Sequence, residues 1–159
     1  MGGQKSYSLF QERHARRHRT MSLNTEERIA VVEFRLEKAQ RAYHEACQVA
    51  ELKFWETTAN RLYYAAYNAV SALLIAYGHT AQSHSGVIHL FGQIFIKSGT
   101  LPPEAGKLYH QLFSMRLTGD YDDTYGLTST DVTPLIEPAG KLIDKVTKIA
   151  RQRITEINN

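Results

Sequence analysis

The sequence lacks several features that would define its class at once. It contains a single cysteine, Cys47, which excludes an intramolecular disulfide framework and is typical of a reducing compartment. No apolar run of about 18 residues is present, so no membrane span is expected. No apolar signal-type segment follows Met1. These absences predict a cytoplasmic protein without a membrane partner, built on an ordinary hydrophobic core.

The motifs of several common enzyme classes are also absent. The chain has no Gly-rich phosphate loop, no H-E-x-x-H, no C-x-x-C and no G-x-S-x-G. His79, His84 and His89 lie close together, but their spacing matches no metal-ligand pattern. We therefore expect no metal site and no cofactor, and the ordinary interpretation of these histidines is as loop or helix-capping residues.

Positive charge is concentrated at one end of the chain. The 159 residues carry 19 basic and 16 acidic side chains, a net charge of +3. Residues 1–20 hold five of the basic groups and one acidic group, which leaves 14 and 15, or −1, for residues 21–159. We divide the chain into a basic arm, 1–20, and one domain, 21–159. The arm is a non-native start, a disordered native tail or a phosphate-binding segment, and these three interpretations remain open.

The domain has the apolar periodicity of helices throughout. Apolar residues recur every three or four positions, and we find no alternating, strand-like segment of useful length. The pattern predicts helices from Asn24 or Thr25 to about residue 50, over 54–77, from Ser83 or Ser85 to about Gly99, over 102–118 and over 131–157, with an irregularity at Pro138. Residues 79–85 and 119–130 are predicted loops. The expected fold is an all-α, antiparallel up-and-down bundle of four to five helices.

Two segments carry the candidate functional residues. In the first, Arg61 heads an apolar, aromatic stretch that contains Tyr64, and a guanidinium there needs an anionic partner, either a carboxylate or a ligand. In the second, Arg116 is followed by Asp120 and Tyr121. Asp120 can pair with either arginine, and Tyr121 can fold back onto the helix end. A purely structural role, as helix cap and loop anchor, is the alternative interpretation.

Together these segments resemble a known family. The chain has R-x-Y-Y-A-x-Y at 61–67, S-H-x-G-V at 83–87, F-x-x-x-F at 91–95 and R-x-x-x-D-Y at 116–121. In this order, on a helical chain, the motifs resemble the HEPN superfamily, and more narrowly its small prokaryotic members that end in R-x-x-x-D-Y. The similarity covers about residues 25–150.

The resemblance implies a helical bundle, commonly a homodimer, in a prokaryotic toxin–antitoxin setting. Many HEPN proteins are RNases, and many are encoded beside a minimal nucleotidyltransferase that neutralises them. Their metal-independent cleavage uses the RNA 2′-OH, an arginine that stabilises phosphoryl charge and a histidine separated from that arginine by four to six residues. Here those positions hold Tyr121, Asp122 and Asp123, and no histidine follows His110.

Three hypotheses follow from this departure. The first is a nucleotide-, RNA- or partner-binding module with a groove formed by Arg61, His84, Arg116, Asp120 and Tyr121, in which Arg61, Tyr64 and Arg116 contact the nucleic acid. The second is an RNase that uses Arg116 with a non-standard base, such as His84 or Asp120. The third is a non-catalytic interaction bundle whose Arg–Asp pair is structural.

Overall fold

Five helices make up the part of the chain that the structure describes. The computed structural model describes residues 23–121 and 126–159, without the side chain of Tyr121, and it contains no strand in those ranges. The basic arm, 1–20, therefore lies outside the described residues. The helices are α1 (Thr25–Glu51), α2 (Trp55–Ala76), α3 (His84–Phe91, continued by π-helical turns over Gly92–Ile96), α4 (Pro103–Tyr121) and α5 (Ser129–Asn158).

Local hydrogen bonds explain where three of these helices begin. Asn24 forms a capping box with Glu27, in which the Glu27 N–H donates to Asn24 Oδ1 at 2.9 Å. The Ser83 hydroxyl accepts from the Gly86 N–H at 3.0 Å and caps α3, so Ser83, rather than Ser85, is the cap of the two that the sequence offered. The Thr128 N–H donates to Asp131 Oδ2 at 2.8 Å at the start of α5. The caps of α1 and α3 are among those predicted from the sequence, whereas the cap of α5 lies before its predicted start at residue 131.

Helix α2 forms the centre of the bundle. It packs against each of the other four helices, and most of its 22 residues are buried. Alanines at positions 65, 66, 69 and 72 are completely or almost completely buried, which allows neighbouring helices to approach closely. The predicted all-α antiparallel bundle is confirmed. No helix in the described ranges is long and apolar enough to cross a membrane.

The structure corrects three predicted boundaries. Helix α4 does not stop before Gly119 but continues to Tyr121, and α5 begins at Ser129 rather than at 131. His84 is the first residue of α3, not part of the 79–85 loop. Gly119 is explained by packing rather than termination, because a Cβ there would lie 2.9 Å from Leu127 Cδ1. Helix α5 also continues through Pro138.

Candidate functional site

A hydrogen bond between α2 and α3 lies at the centre of the site. The Tyr63 hydroxyl lies 2.5 Å from Nδ1 of His84. Tyr63 is completely buried in the core, whereas His84 is half-buried at the start of α3. Because Nδ1 is hydrogen-bonded to the phenol, Nε2 is the ring nitrogen of His84 that remains to exchange a proton with a ligand.

Aromatic rings surround this pair. The His84 ring centre lies 4.8 Å from that of Tyr67 and 6.4 Å from that of Phe113. On its other side, the Tyr63 ring stacks on Tyr109 with a centre-to-centre distance of 6.1 Å. The rings exclude water from one side of His84 and fix its orientation, which is the usual effect of such packing on an imidazole.

Arg116, in the last turns of α4, packs onto the same rings. Its guanidinium carbon lies 5.2 Å from the centre of the Tyr64 ring and 5.5 Å from that of Tyr63, within cation–π range. Its Nε donates to Asp120 Oδ2 at 3.0 Å, an i,i+4 ion pair that the continuation of α4 beyond Gly119 makes possible. Only 13% of the Arg116 side chain is exposed, so the guanidinium is held in a defined position.

Arg61 approaches the same ring from α2 itself. Its guanidinium carbon lies 5.4 Å from the centre of the Tyr64 ring, and 32% of the side chain is exposed. Nη2 donates to Asn60 Oδ1 at 2.9 Å, and Nη1 lies 3.7 Å from Glu45 Oε2 on α1. The predicted carboxylate partner of Arg61 is therefore Glu45 rather than Asp120. At 3.7 Å, with both side chains partly exposed, this ion pair is weak.

The electrostatic environment keeps both members of the Tyr63–His84 pair uncharged. Burial, reinforced by the positive charge of Arg116, holds the pKa of His84 below its ordinary value. Burial also raises the pKa of Tyr63 to about 12. Near neutral pH the site therefore presents two guanidinium cations beside a neutral imidazole and a protonated phenol. This combination can bind a phosphate and exchange a proton with it.

The candidate residues from the sequence occupy one region of the bundle. Arg61, Tyr64, His84, Arg116 and Asp120 lie around the Tyr63 and Tyr64 rings. The side chain of Tyr121 lies outside the described residues. Among the residues described, no group of three metal-type ligands is present.

The sequence did not indicate Tyr63 as the partner of His84, because the spacing of Tyr63 identified that residue only as part of the core. The signal that could have indicated the pair is general: a buried tyrosine hydroxyl needs a partner.

The fold and this site define the class of protein. An all-α bundle carries an arginine–tyrosine face on its central helix, a histidine at the start of the next helix and an arginine near the end of the fourth. The family model of the HEPN domain matches residues 32–149. The chain therefore belongs to the HEPN family.

Curated relatives share most of this chain. A UPF0332 protein of Thermotoga maritima is 32% identical over 123 residues, which cover 77% of this chain and 93% of that protein. A Methanocaldococcus jannaschii protein named "Putative toxin MJ0142" is 26% identical over 71% of this chain and 77% of its own length. A second protein of that organism, "Putative toxin MJ0605", is 26% identical over 64% of this chain and 75% of its own.

A solved structure has the same fold. The crystal structure of TT1696 from Thermus thermophilus superposes with a TM-score of 0.59 over 77% of this chain and 97% of that one. The two sequences are 18% identical, so this likeness concerns the fold alone.

Proposed function

We propose that this HEPN protein binds the phosphates of RNA or of a nucleotide through Arg61 and Arg116. The observation that carries the proposal is that both guanidinium groups lie over the Tyr64 ring, at 5.4 and 5.2 Å. Asp120 holds Arg116 through Nε alone, and a guanidinium has further donors on Nη1 and Nη2 that suit phosphate oxygens. Tyr64 is half-buried beside these cations, and an aromatic ring in such a place suits an unstacked base.

The biological setting that we propose is a toxin–antitoxin-like system. Two relatives carry names that include the word toxin, and this supports the proposal without assigning a mechanism. A homodimer and a minimal nucleotidyltransferase partner, both implied by the family resemblance, belong to the same proposal. Light scattering at micromolar concentration tests the dimer, and co-purification from the native host tests the partner.

RNA binding by single-residue variants tests the phosphate site. We expect Arg116→Ala to weaken the binding of a short single-stranded RNA at least tenfold and Arg61→Ala to weaken it less, because the Arg61 side chain is 32% exposed and less firmly positioned than that of Arg116, which is 13% exposed. Arg41→Ala is the matched control, since Arg41 is exposed on α1. Circular dichroism verifies that each variant is folded.

Two outcomes would contradict the phosphate site. Equal affinities for wild type and Arg116→Ala would exclude it. Loss of melting temperature in Arg61→Ala and Asp120→Ala, with no RNA or nucleotide bound by wild type, would instead favour the purely structural bundle.

A second candidate function is metal-independent RNA cleavage with His84 as the proton-transfer group. It is favoured by the neutral imidazole of His84, which shares the Tyr63 and Tyr64 rings with Arg116. In this reaction His84 carries its proton on Nδ1 and donates it to the Tyr63 oxygen, which leaves Nε2 free as a base. Nε2 takes the proton of the 2′-OH, the 2′-oxygen forms a bond to the adjacent phosphorus, the bond to the 5′-oxygen breaks, and Nε2 returns the proton to that oxygen while Arg116 offsets the phosphoryl charge. Asp120 is the weaker candidate base because it is paired with Arg116.

Cleavage assays in EDTA test this second candidate. We expect wild type to cut RNA but not the corresponding DNA, which lacks the 2′-OH, and we expect His84→Gln to bind RNA without cutting it. His110→Gln, at an exposed position of α4, is the control. Binding without cleavage by wild type would leave the phosphate site in place and exclude the nuclease.

A further inference from the structure

A cavity of about 300 Å³ lies beside the phosphate site and takes no part in the function proposed above. It is bounded by α1, by the C-terminal half of α2 and by the segment 79–82 that leads into α3. Its volume is within the range typical of small-molecule sites. Much of its wall is apolar, formed among others by Val31, Leu74, Ile75 and Val87. A flat, apolar group is the kind of ligand that such walls accommodate.

Two polar side chains that line the cavity have hydrogen-bonding groups without a partner in the described residues. The Ser71 side chain lines the cavity, is 7% exposed and has no hydrogen-bond partner for its hydroxyl in the described residues. Buried hydroxyl groups almost always form a hydrogen bond, so the unpaired Oγ of Ser71 indicates that a ligand binds here. Arg35 also lines the cavity. Its Nη1 donates to Asn68 Oδ1 at 3.3 Å, and it forms no ion pair within residues 23–121 and 126–159. This contact leaves the Nε–Nη2 edge of the guanidinium for a second partner.

The cavity and the phosphate site share a wall. Tyr67 lines the cavity, and its ring lies 4.8 Å from that of His84 and 6.1 Å from that of Tyr64. Residues 61, 64, 67 and 71 also follow one another at intervals of three or four along α2, so they form a single face of that helix. A ligand whose phosphate lies at Arg61 and Arg116 can therefore place an attached group into the cavity across Tyr67.

We propose that this cavity binds a guanine base, attached to the nucleotide or RNA whose phosphate the neighbouring site holds; the inference rests on the proposed function. Arginine donates two parallel hydrogen bonds to O6 and N7 of guanine. Adenine presents a donor, N6, where guanine presents O6, and pyrimidines lack the adjacent pair of acceptors. Ser71 supplies a further donor or acceptor inside the cavity, and Tyr67 supplies an aromatic wall for the base.

Titration of the full-length protein with free nucleosides tests the base pocket separately from the phosphate site. Guanosine, adenosine and cytidine carry no phosphate, so Arg116 does not contribute to their binding. We expect guanosine to bind at least about tenfold more tightly than the other two. Arg35→Lys keeps the charge but loses the fork, so it should weaken guanosine binding about tenfold and remove the preference. Ser71→Ala should weaken it by a smaller factor, about threefold.

Control variants show whether a loss of guanosine binding is due to the pocket residues themselves. Arg41→Lys makes the same change at an exposed position of α1 and should leave guanosine binding within twofold of wild type. Arg116→Ala should also leave guanosine binding within twofold of wild type, although it weakens RNA binding. Melting temperatures of all variants exclude unfolding as the reason for a loss. Comparison of 5′-GMP with an oligouridine that carries one guanosine then shows whether the base is supplied by a free nucleotide or by RNA.

The outcomes for the two proposals are distinguishable. The base pocket is overturned if wild type binds no guanosine at millimolar concentration, if guanosine and adenosine bind equally, or if Arg35→Lys behaves as wild type. It is also overturned if inorganic phosphate displaces guanosine, because Arg35 would then be an anion site. RNA binding that depends on Arg116 but shows no guanosine binding would retain the proposed function without the pocket. Guanosine binding without RNA or nucleotide-phosphate binding would retain the pocket alone.

Discussion

The Tyr63 hydroxyl and Nδ1 of His84, 2.5 Å apart, join the buried centre of α2 to the first residue of α3. This bond sets which nitrogen of His84 is left for a ligand, and it also satisfies the hydroxyl of a completely buried tyrosine. The tyrosine that stacks on Tyr63, Tyr109, is equally buried, but its hydroxyl has no hydrogen-bond partner in the described residues. The two phenols therefore differ in whether the hydroxyl is paired, and this difference can be tested.

Removal of the two hydroxyls should have unequal effects on stability. We expect Tyr63→Phe to lower the free energy of unfolding by about 1 kcal/mol, because His84 loses its hydrogen-bond partner. Tyr109→Phe should be neutral or slightly stabilising, because it removes a buried polar atom that has no partner in the described residues. Urea unfolding of both variants measures the difference. Equal losses would show that the Tyr63–His84 bond contributes nothing specific.

Stability should decrease below pH 6.5 because of His84. Burial and Arg116 lower the pKa of His84 from its ordinary value of 6.5 in the folded protein. As the pH falls through 6.5, the unfolded chain takes up a proton at this residue while the folded chain does not, so the unfolded state is favoured. Above that pH both states are neutral and the effect vanishes. Melting temperatures should therefore fall as the pH is lowered from about 7.5 to about 5.

Variants assign this pH dependence to one histidine. His84→Gln should flatten the decline in melting temperature, because the titrating group is removed. His110→Gln, at an exposed position of α4, should retain the wild-type slope. A wild-type slope in His84→Gln would place the titrating group elsewhere.

RNA affinity should not depend on the basic arm. The net charge of residues 21–159 is −1, so phosphate binding by the bundle must come from a few placed arginines rather than from bulk charge. Replacement of Arg13, Arg16, Arg17 and Arg19 by Gln in the full-length protein should leave the affinity within about threefold. Two arginine–phosphate contacts should give a slope of about −1.4 for the logarithm of the binding constant against that of salt concentration. Loss of binding in the arm variant would make the arm the binding element.

Periodicity predicted the bundle because helix formation here follows local rules. The apolar positions of α1, such as Val32, Leu36 and Ala46, recur at the spacing that places them on one face, and they are completely buried. Capping residues placed the start of α1 at Asn24 or Thr25, again from neighbours in sequence, and the cap is Asn24. Both signals operate within a few residues, so a single sequence contains them.

The errors and omissions depend on contacts between distant segments. Gly119 resembles a helix stop by local rules, yet it lies inside α4, at a place where a Cβ would lie only 2.9 Å from Cδ1 of Leu127. The partner of Arg61, Glu45, lies on another helix, and so does the partner of Arg35, Asn68. The cavity beside Tyr67 exists only because the chain reverses after α2. None of these contacts has a spacing that could be recognised in the sequence.

That reversal itself provides a test of backbone conformation at one glycine. Gly78 follows α2 with a φ of +83°, in the left-handed region that favours glycine, and a Cβ added there would lie 3.9 Å from Nη1 and Nη2 of Arg28. Because space is sufficient, the cost of Gly78→Ala should arise from φ alone. We expect the free energy of unfolding to fall by about 1–2 kcal/mol.

Gly92 is the matched control for this prediction. It has a helical φ of −61°, and a Cβ there would meet nothing within 4 Å. Gly92→Ala should therefore leave stability unchanged or raise it by up to about 1 kcal/mol, because alanine restricts the unfolded chain and favours the helix. Urea unfolding with equal m-values for both variants measures the contrast. Equal changes in stability for the two substitutions would contradict this prediction. The left-handed conformation of Gly78 would then not be the feature that stabilises the turn between α2 and the segment 79–82, which borders the cavity.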